Sequence, residues 1–261
     1  ACYLTPGRRV LIAGPTFGEY ARASALYGAE PIRLNAYENR EIPDVAPLLD
    51  AIHNLKPTLV WLCHPNNPTG HAWTASQLET VANACLRNDA LLAIDAAYLE
   101  VSSVASEALP AGALTLWSLT KSFCIPGLRV GYATGPREVA AHLNRVAAPW
   151  QASGPSQEAA LWARSDEGRS FLGRTVPELL ATGQALRRKL QEVGYQTHSG
   201  VTPFFLIEVG DAAAFKDAAR EHGFRVRNAS SFGLPRHVRL APQQEQANAS
   251  LVAWMSRRRH G

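Results

Sequence analysis

Short apolar runs alternate with amphipathic stretches along the first half of the chain. Runs of four to eight apolar residues predict strands, and apolar residues spaced three and four apart predict helices. The predicted strands are Arg9–Gly14, Glu30–Leu34, Pro57–His64, Ala90–Asp95, Ala113–Leu119 and Arg129–Gly135, and the predicted helices are Gly18–Gly28, Val45–Leu55 and Thr74–Asn88. Strands that alternate with helices indicate a mostly parallel α/β sheet with helices on both faces.

The pattern changes at residues 147–155, which read AAPWQASGP. The part of the chain beyond it predicts a smaller α+β unit. Its predicted helices are Gln157–Arg164, Val176–Val193, Ala212–His222 and Gln244–Arg258, and its predicted strands are Pro203–Val209, Phe224–Asn228 and His237–Ala241. We therefore predict two domains, a large one over residues 1–148 and a smaller C-terminal one over residues 149–261.

Composition narrows the class of protein. The 261 residues are 46% hydrophobic and 18% charged, with a formal net charge of only +4. Arg257–Arg259 form the one basic run, which we expect to be a solvated tail rather than a nucleic-acid-binding arm. The four cysteines include no C-x-x-C pair, and no apolar run reaches the roughly 18 residues of a membrane span. The sequence predicts a cytoplasmic protein with reduced thiols, no membrane or nucleic-acid partner and no metal site.

Polar and aromatic residues follow several of the predicted strands, where ligands bind in open α/β sheets. The loop HPNNPTG at residues 64–70 offers amide groups, and PTFGEY at residues 15–20 places Phe17 and Tyr20 at the rim. Asp95 ends a very apolar strand, where a charge needs a cation or several hydrogen-bond donors. Each feature also has a plainer explanation, namely an Asn-Pro turn, aromatic packing or a helix N-cap.

Lys121 lies in SLTKSFCIPGLRVGY, residues 118–132, and is one of four lysines beside 22 arginines. On its own, Lys121 could be a solvated loop residue or a nucleophile. With hydroxyls before it, Arg129 eight residues after it and Asp95 at a strand end, it meets the needs of pyridoxal phosphate. That cofactor requires a lysine amine for a Schiff base, a carboxylate for its pyridinium nitrogen and a cradle for its phosphate.

These motifs, in this order, resemble the class I/II aminotransferase family of fold-type I pyridoxal-phosphate enzymes, over nearly the whole chain. The chain looks most like the branch that contains histidinol-phosphate aminotransferase and L-threonine-O-3-phosphate decarboxylase. The resemblance implies the pyridoxal-phosphate-dependent transferase fold, pyridoxal 5'-phosphate as the cofactor and a homodimer.

The resemblance also implies a role for each matching residue. Three would be catalytic: Lys121 as the Schiff-base lysine, Asp95 at the pyridine nitrogen and Tyr98 at the phenolic oxygen. The others would bind cofactor or substrate: Phe17 stacked on the ring, Asn67 at the phenolic oxygen, Ser118 and Arg129 at the phosphate, and Arg239 at the substrate carboxylate.

The chain departs from the family pattern in two places. Ala96 stands where a glutamate is common, but that glutamate is not a direct cofactor ligand. Family members also have a longer N-terminal part, whose loop binds the cofactor phosphate through backbone amides at a helix start. We expect ACYLTPG at residues 1–7 to be the end of that helix, one wall of the phosphate cup to be missing and the cofactor to bind weakly.

The residues leave the reaction open. Loss of the Cα proton to Lys121 gives transamination, whereas loss of the carboxylate held by Arg239 gives decarboxylation. Our first interpretation is an aminotransferase acting on an amino acid or amino-alcohol phosphate. The alternatives are an L-threonine-O-3-phosphate decarboxylase of cobalamin biosynthesis and a catalytically impaired binding protein. Arg225, Arg227 and Arg236 lie near Arg239 and are expected to be solvated rather than a phosphate site.

Overall fold

The first of two sheets has six strands. The computed structural model describes residues 3–37, 43–104 and 109–260. The strands are β1 (Arg9–Gly14), β2 (Glu30–Asn35), β3 (Leu59–Cys63), β4 (Leu91–Asp95), β5 (Leu114–Trp117) and β6 (Tyr132–Thr134). Their order is β2-β1-β3-β4-β5-β6, and all pairings are parallel except that of β5 with β6. The predicted mostly parallel sheet is confirmed.

Helices cover both faces of this sheet. They are α1 (Glu19–Leu26), α2 (Ala46–Leu55) and α3 (Ala75–Arg87). Successive strand side chains point to opposite faces, so Leu11 packs with α2 and α3 while Val10 packs with α1. Burial on both faces explains why these strands read as continuous apolar runs.

The second sheet lies in the C-terminal part. The elements of this part are α6 (Gly154–Arg164), α7 (Asp166–Glu192), β7 (Phe205–Glu208), α8 (Ala212–Glu221), β8 (Arg227–Asn228), β9 (His237–Leu240) and α9 (Glu245–His260). Its three antiparallel strands are ordered β7-β9-β8, and α7, α8 and α9 complete their core. Before it, α4 (Leu119–Ser122) follows β5, and α5 (Arg137–Val146) follows β6. The antiparallel α+β pattern is as predicted, and the domain boundary at residue 148 stays a prediction.

The starts of two predicted elements were wrong, and a helix was missed. Helix α7 begins at Asp166, not Val176, and carries Pro177 in its interior. Proline is common in the first turn of a helix, so Pro177 favoured a start near Val176. The helix instead begins earlier, because the Ser165 hydroxyl caps its first turn by accepting a hydrogen bond from the Gly168 amide. The predicted strand from Arg129 starts only at Tyr132, because Arg129 adopts a left-handed backbone with φ of 50°. Helix α5 was not predicted.

Both chain ends also differ from expectation. Residues 3–7 form a bend and a turn, so the expected helix end is wrong for the described part of ACYLTPG, and Ala1 and Cys2 lie outside it. The basic run at residues 257–259 is exposed, as predicted, but it continues α9 instead of forming a loose tail. The Arg258 guanidinium lies over the Trp254 ring, and that of Arg259 lies over Tyr195.

Cys63, Cys85 and Cys124 form no disulfide. Within residues 3–37, 43–104 and 109–260, no helix is long and apolar enough to cross a membrane.

His64, directly after β3, should make folding pH-dependent. Its Nδ1 accepts from the Trp73 amide at 3.2 Å, and burial lowers the pKa of His64 to about 4. In the unfolded chain the histidine has a pKa of about 6.5, so between about pH 6.5 and pH 4 it binds a proton that the folded chain does not bind. The free energy of unfolding therefore decreases as the pH falls through this range. We expect urea unfolding to show a loss of about 2 kcal/mol between about pH 7 and pH 5 from this residue.

A matched pair of variants isolates that contribution. His64→Asn retains an acceptor but does not titrate, so it should remove this part of the pH dependence. His53→Asn, at an exposed position on α2, should leave the pH dependence as it is. Equal pH profiles for His64→Asn and the unmodified protein would show that His64 does not cause the loss.

Candidate active site

The carboxyl ends of β3, β4 and β5 align at one edge of the six-stranded sheet. Cys63 pairs with Asp95, and Asp95 with Leu116. Parallel strands deliver the loops that follow them to the same edge. This edge therefore carries four of the predicted site residues, Asn67, Tyr98, Ser118 and Lys121, in addition to Asp95.

The Asp95 carboxylate is half-buried and held by two donors. Its Oδ2 accepts from the Tyr20 hydroxyl at 2.5 Å, and its Oδ1 accepts from the Ala97 amide at 3.0 Å. Burial raises the pKa of Asp95, while the two hydrogen bonds and the positive charge of Lys121 act in the opposite direction. The site thus maintains a desolvated carboxylate that a further cationic or N–H partner would stabilise.

Tyr20 positions Asp95 from the first turn of α1. Its ring stacks on Trp61, with centroids 4.8 Å apart and planes 6° apart, and meets the edge of Phe17 at 5.7 Å. Burial is the main reason that the pKa of Tyr20 lies well above the usual tyrosine value, so the hydroxyl remains a donor. Sequence reasoning treated Tyr20 as rim packing. The available signal was a hydroxyl-bearing aromatic three residues after Phe17, where a helix begins.

Lys121 and Tyr98 lie next to each other beside Asp95. Lys121 lies on the short helix α4, which follows β5, and its side chain is exposed. Its Nζ is 5.8 Å from the centre of the Tyr98 ring. The Tyr98 ring in turn meets Phe204 edge-on at 4.8 Å. The structure thus brings together the three residues predicted to be catalytic.

Arg239 reaches this site from the second sheet. Its Nη1 donates to Oδ1 of Asn67, 172 positions away in the chain. Its guanidinium also lies 4.7 Å from the centre of the Phe204 ring. Phe204, which sequence reasoning missed, therefore separates Arg239 from Tyr98, and nothing in the sequence distinguishes it from a core residue.

Two predicted phosphate ligands make only local contacts. The Ser118 hydroxyl is 2.7 Å from the Thr120 hydroxyl, one residue before Lys121. Arg129 is exposed, and its Nη1 donates to the Pro126 carbonyl at 3.0 Å within its own loop. Their roles at a phosphate stay predictions.

A polar network that sequence reasoning missed holds α4 in place. The Ser122 hydroxyl, next to Lys121, donates to Glu100 at 2.5 Å. Glu100 lies 3.9 Å from Arg164, which donates to the Tyr132 hydroxyl at 3.1 Å. The network joins the helix of Lys121 to three other segments of the chain.

Comparison with known proteins gives the chain a family. The model of the class I and II aminotransferases matches residues 1–253. Histidinol-phosphate aminotransferase of Haloarcula marismortui is 31% identical over 91% of this chain and 65% of its own length. The Polaromonas naphthalenivorans enzyme of the same name is 30% identical over 95% of this chain and 68% of its own length. The chain thus spans about two thirds of these relatives and belongs to the class I and II aminotransferase family.

Solved structures show the same fold at lower identity. A mutant aspartate aminotransferase of Thermus thermophilus superimposes with a TM-score of 0.88 at 22% identity, covering 98% of this chain and 75% of its own. A histidinol-phosphate aminotransferase of Sinorhizobium meliloti, solved with pyridoxal 5'-phosphate, gives 0.85 at 21% identity, covering 97% of this chain and 71% of its own. The predicted fold class is confirmed.

The contact between Tyr20 and Asp95 can be tested through stability. Tyr20→Phe keeps the ring but removes the hydroxyl, which should cost about 1.5–3 kcal/mol because it leaves a charged acceptor short of a donor. In the background of Asp95→Asn the same change should cost less, so the two effects would not be additive. Urea unfolding of the four proteins measures this coupling.

Tyr27→Phe is the control for that cycle. Tyr27 follows α1 and is 50% exposed, so loss of its hydroxyl should change stability little in either background. Additive effects of Tyr20→Phe and Asp95→Asn would show that the hydrogen bond contributes no coupling.

Proposed function

We propose that this protein is a pyridoxal-phosphate-dependent aminotransferase acting on an amino acid or an amino-alcohol phosphate. The observation that carries the proposal is the meeting of Lys121, Asp95 and Tyr98 at the carboxyl edge of the sheet. When bound, the cofactor takes up the electrons of the bond that breaks at the substrate Cα. Membership of the aminotransferase family supports the same reaction class.

Asp95 fits the pyridine nitrogen of this cofactor. A carboxylate has room for about four hydrogen bonds, and the described contacts of Asp95 are one at each oxygen. An N–H cation would offset the burial that raises the pKa of Asp95. Tyr20 would orient the carboxylate, and Phe17, 42% exposed at the rim beside Tyr20, is the candidate stacking residue.

Asn67 and Tyr98 fit the phenolic oxygen. Because Oδ1 of Asn67 accepts from Arg239, its amide nitrogen is the group left to donate. Lys121 would form the covalent link and carry the proton at the substrate Cα, and the network through Ser122 and Glu100 would keep its helix in register with the strand before it. Ser118 and Arg129 remain the proposed phosphate ligands, and Arg129 would have to leave the Pro126 carbonyl to act.

Arg239 is the proposed partner of the substrate carboxylate, because a guanidinium binds a carboxylate through two parallel hydrogen bonds. It also contributes to a cavity of about 990 Å³ whose lining includes Lys216, Arg220, Arg225 and Arg227 but no Asp or Glu. Arg227 lies directly opposite Arg239 across β8 and β9. Of the proposed site, this cavity is lined only by Arg239, so its positive charge does not identify the substrate. The names of the relatives support a substrate with a phosphate.

Assembly and location follow from the resemblance and the composition. We propose a homodimer without nucleic-acid or membrane partners, and a cytoplasmic location. These remain predictions.

Cofactor binding gives the first test. Pyridoxal 5'-phosphate added to the protein should produce the visible absorbance band of lysine-bound cofactor, and borohydride reduction should fix the added mass on the peptide that contains Lys121. Lys121→Ala should abolish both signals, because its amine forms the covalent link.

Lys189→Ala is the matched control, since Lys189 is exposed on α7 away from the site. It should retain both the band and the labelled peptide. Label distributed equally over the lysines would refute the proposed site. A Lys121→Ala protein with unchanged activity would favour a non-catalytic role for Lys121.

The reaction itself gives the second test. With histidinol phosphate as amino donor and 2-oxoglutarate as acceptor, we expect glutamate to form. With O-phosphothreonine, release of CO₂ without a keto acid would instead favour the decarboxylase. Arg239→Gln should lower kcat/KM for 2-oxoglutarate by about 30-fold or more, because the carboxylate of this substrate would lose its charged partner, whereas Arg236→Gln should have little effect.

A further inference from the structure

Two histidines distant in sequence meet in the second sheet. Nε2 of His198 lies 3.3 Å from Nε2 of His237, with the ring centres 5.2 Å apart and the planes at 67°. His198 belongs to a segment that bridges to β7 through Thr197 and Ile207, and His237 begins β9 on the other side of β7. The pair therefore spans three neighbouring extended segments.

Both rings lie on the face of the sheet opposite to its core. Ile207 and Val238 point into the core, so by strand alternation His198 and His237 point to the other face, which they share with Arg239. His198 is exposed, and His237 is partly buried. The pair is thus open to solvent on one side and fixed by strand pairing on the other.

The separation of the two nitrogens matches a chelate. Two imidazole nitrogens bound to one zinc ion at about 2.05 Å with a tetrahedral angle would be about 3.3 Å apart. N–H···O hydrogen bonds usually span about 2.7–3.2 Å, so 3.3 Å is long for a hydrogen bond. The separation therefore allows both nitrogens to reach one ion, once the proton between them leaves.

The carboxylate opposite His237 in the sheet is that of Glu208. Glu208 itself is engaged by Arg236, with Nη2 at 2.9 Å from its Oε1, and is not a third ligand. Within the described residues, no group of three or more His, Cys, Asp or Glu could hold a metal, so this site has two protein ligands.

We propose that His198 and His237 form a two-nitrogen chelate for a divalent transition-metal ion such as zinc, with water as the remaining ligands. The ion would fasten the segment around His198 to β9 across β7. With only two protein ligands it would bind more weakly than a structural zinc site with four. Metal binding at this pair does not depend on the aminotransferase activity, and it can be measured without cofactor or substrate.

Zinc titration of the protein tests the proposal, with any affinity tag removed and no cofactor present. We expect one Zn²⁺ per chain by calorimetry, and a rise in Tm with added Zn²⁺ because the ion binds the folded state. His198→Ala and His237→Ala should each weaken binding about 10-fold or more and remove the rise in Tm. His198→Ala is the primary variant because its side chain is exposed and its loss should not affect folding.

Three controls locate the ion. His53→Ala and His222→Ala remove exposed histidines elsewhere, and Cys124→Ser removes an exposed thiol. All three should bind Zn²⁺ as the unmodified protein does. If His198→Ala also binds Zn²⁺ unchanged, or if the unmodified protein binds none, the pair is a hydrogen-bonded imidazole pair only and the proposal is overturned.

Discussion

Asp95 ends a strand that is buried on both faces, where a charged carboxylate is poorly solvated. The neighbouring side chains of the site offset this loss of solvation. Burial raises the pKa of Asp95, so the charged form depends on nearby donors and cations. The Tyr20 hydroxyl and the Ala97 amide each supply one hydrogen bond, and Lys121 supplies positive charge. Tyr20 can do so only because its ring is fixed against Trp61 and it remains protonated in its own buried position. The sheet edge therefore holds a carboxylate prepared for a cationic partner.

A second constraint is the contact between the two sheets. Arg239 lies on a strand of the three-stranded sheet, yet its guanidinium donates to Asn67 in a loop of the six-stranded sheet and covers Phe204. Phe204 also packs against Tyr98, which is beside Lys121. A displacement of one sheet relative to the other would thus change the position of the proposed carboxylate ligand relative to the proposed catalytic lysine. Positioning errors of about 1 Å are enough to alter which bond at Cα is favoured.

Positive charge is distributed unevenly over the C-terminal part. The cavity beside Arg239 is lined by five basic side chains and no acidic one, whereas Arg236 is neutralised by Glu208, and Arg258 and Arg259 rest on aromatic rings. Arginines that look alike in the sequence therefore have different surroundings. Arg227, opposite Arg239, contacts Ser231 and Phe232, whereas Arg236 is paired with an acidic side chain. The histidine pair lies on the same face of this sheet, where strand pairing rather than sequence proximity brought the rings together.

The alternation of apolar runs and amphipathic stretches determined the parallel sheet, its helices and the strand-end positions of Asp95 and Asn67, because these depend on local periodicity and on a rule common to parallel sheets. Motif spacing was sufficient to identify the family and to select Lys121, Tyr98 and Arg239. Only the tertiary structure placed Phe204 between Tyr98 and Arg239. It also showed the hydrogen bond from Tyr20 to Asp95 and the contact between His198 and His237. The two histidines are 39 positions apart in the sequence, and Tyr20 and Asp95 are 75 apart. Packing, not local sequence, decides which side chains meet over such distances. The same limit applies to helix α7 and to Arg129, whose backbone states depend on a cap and a turn that apolar periodicity does not record.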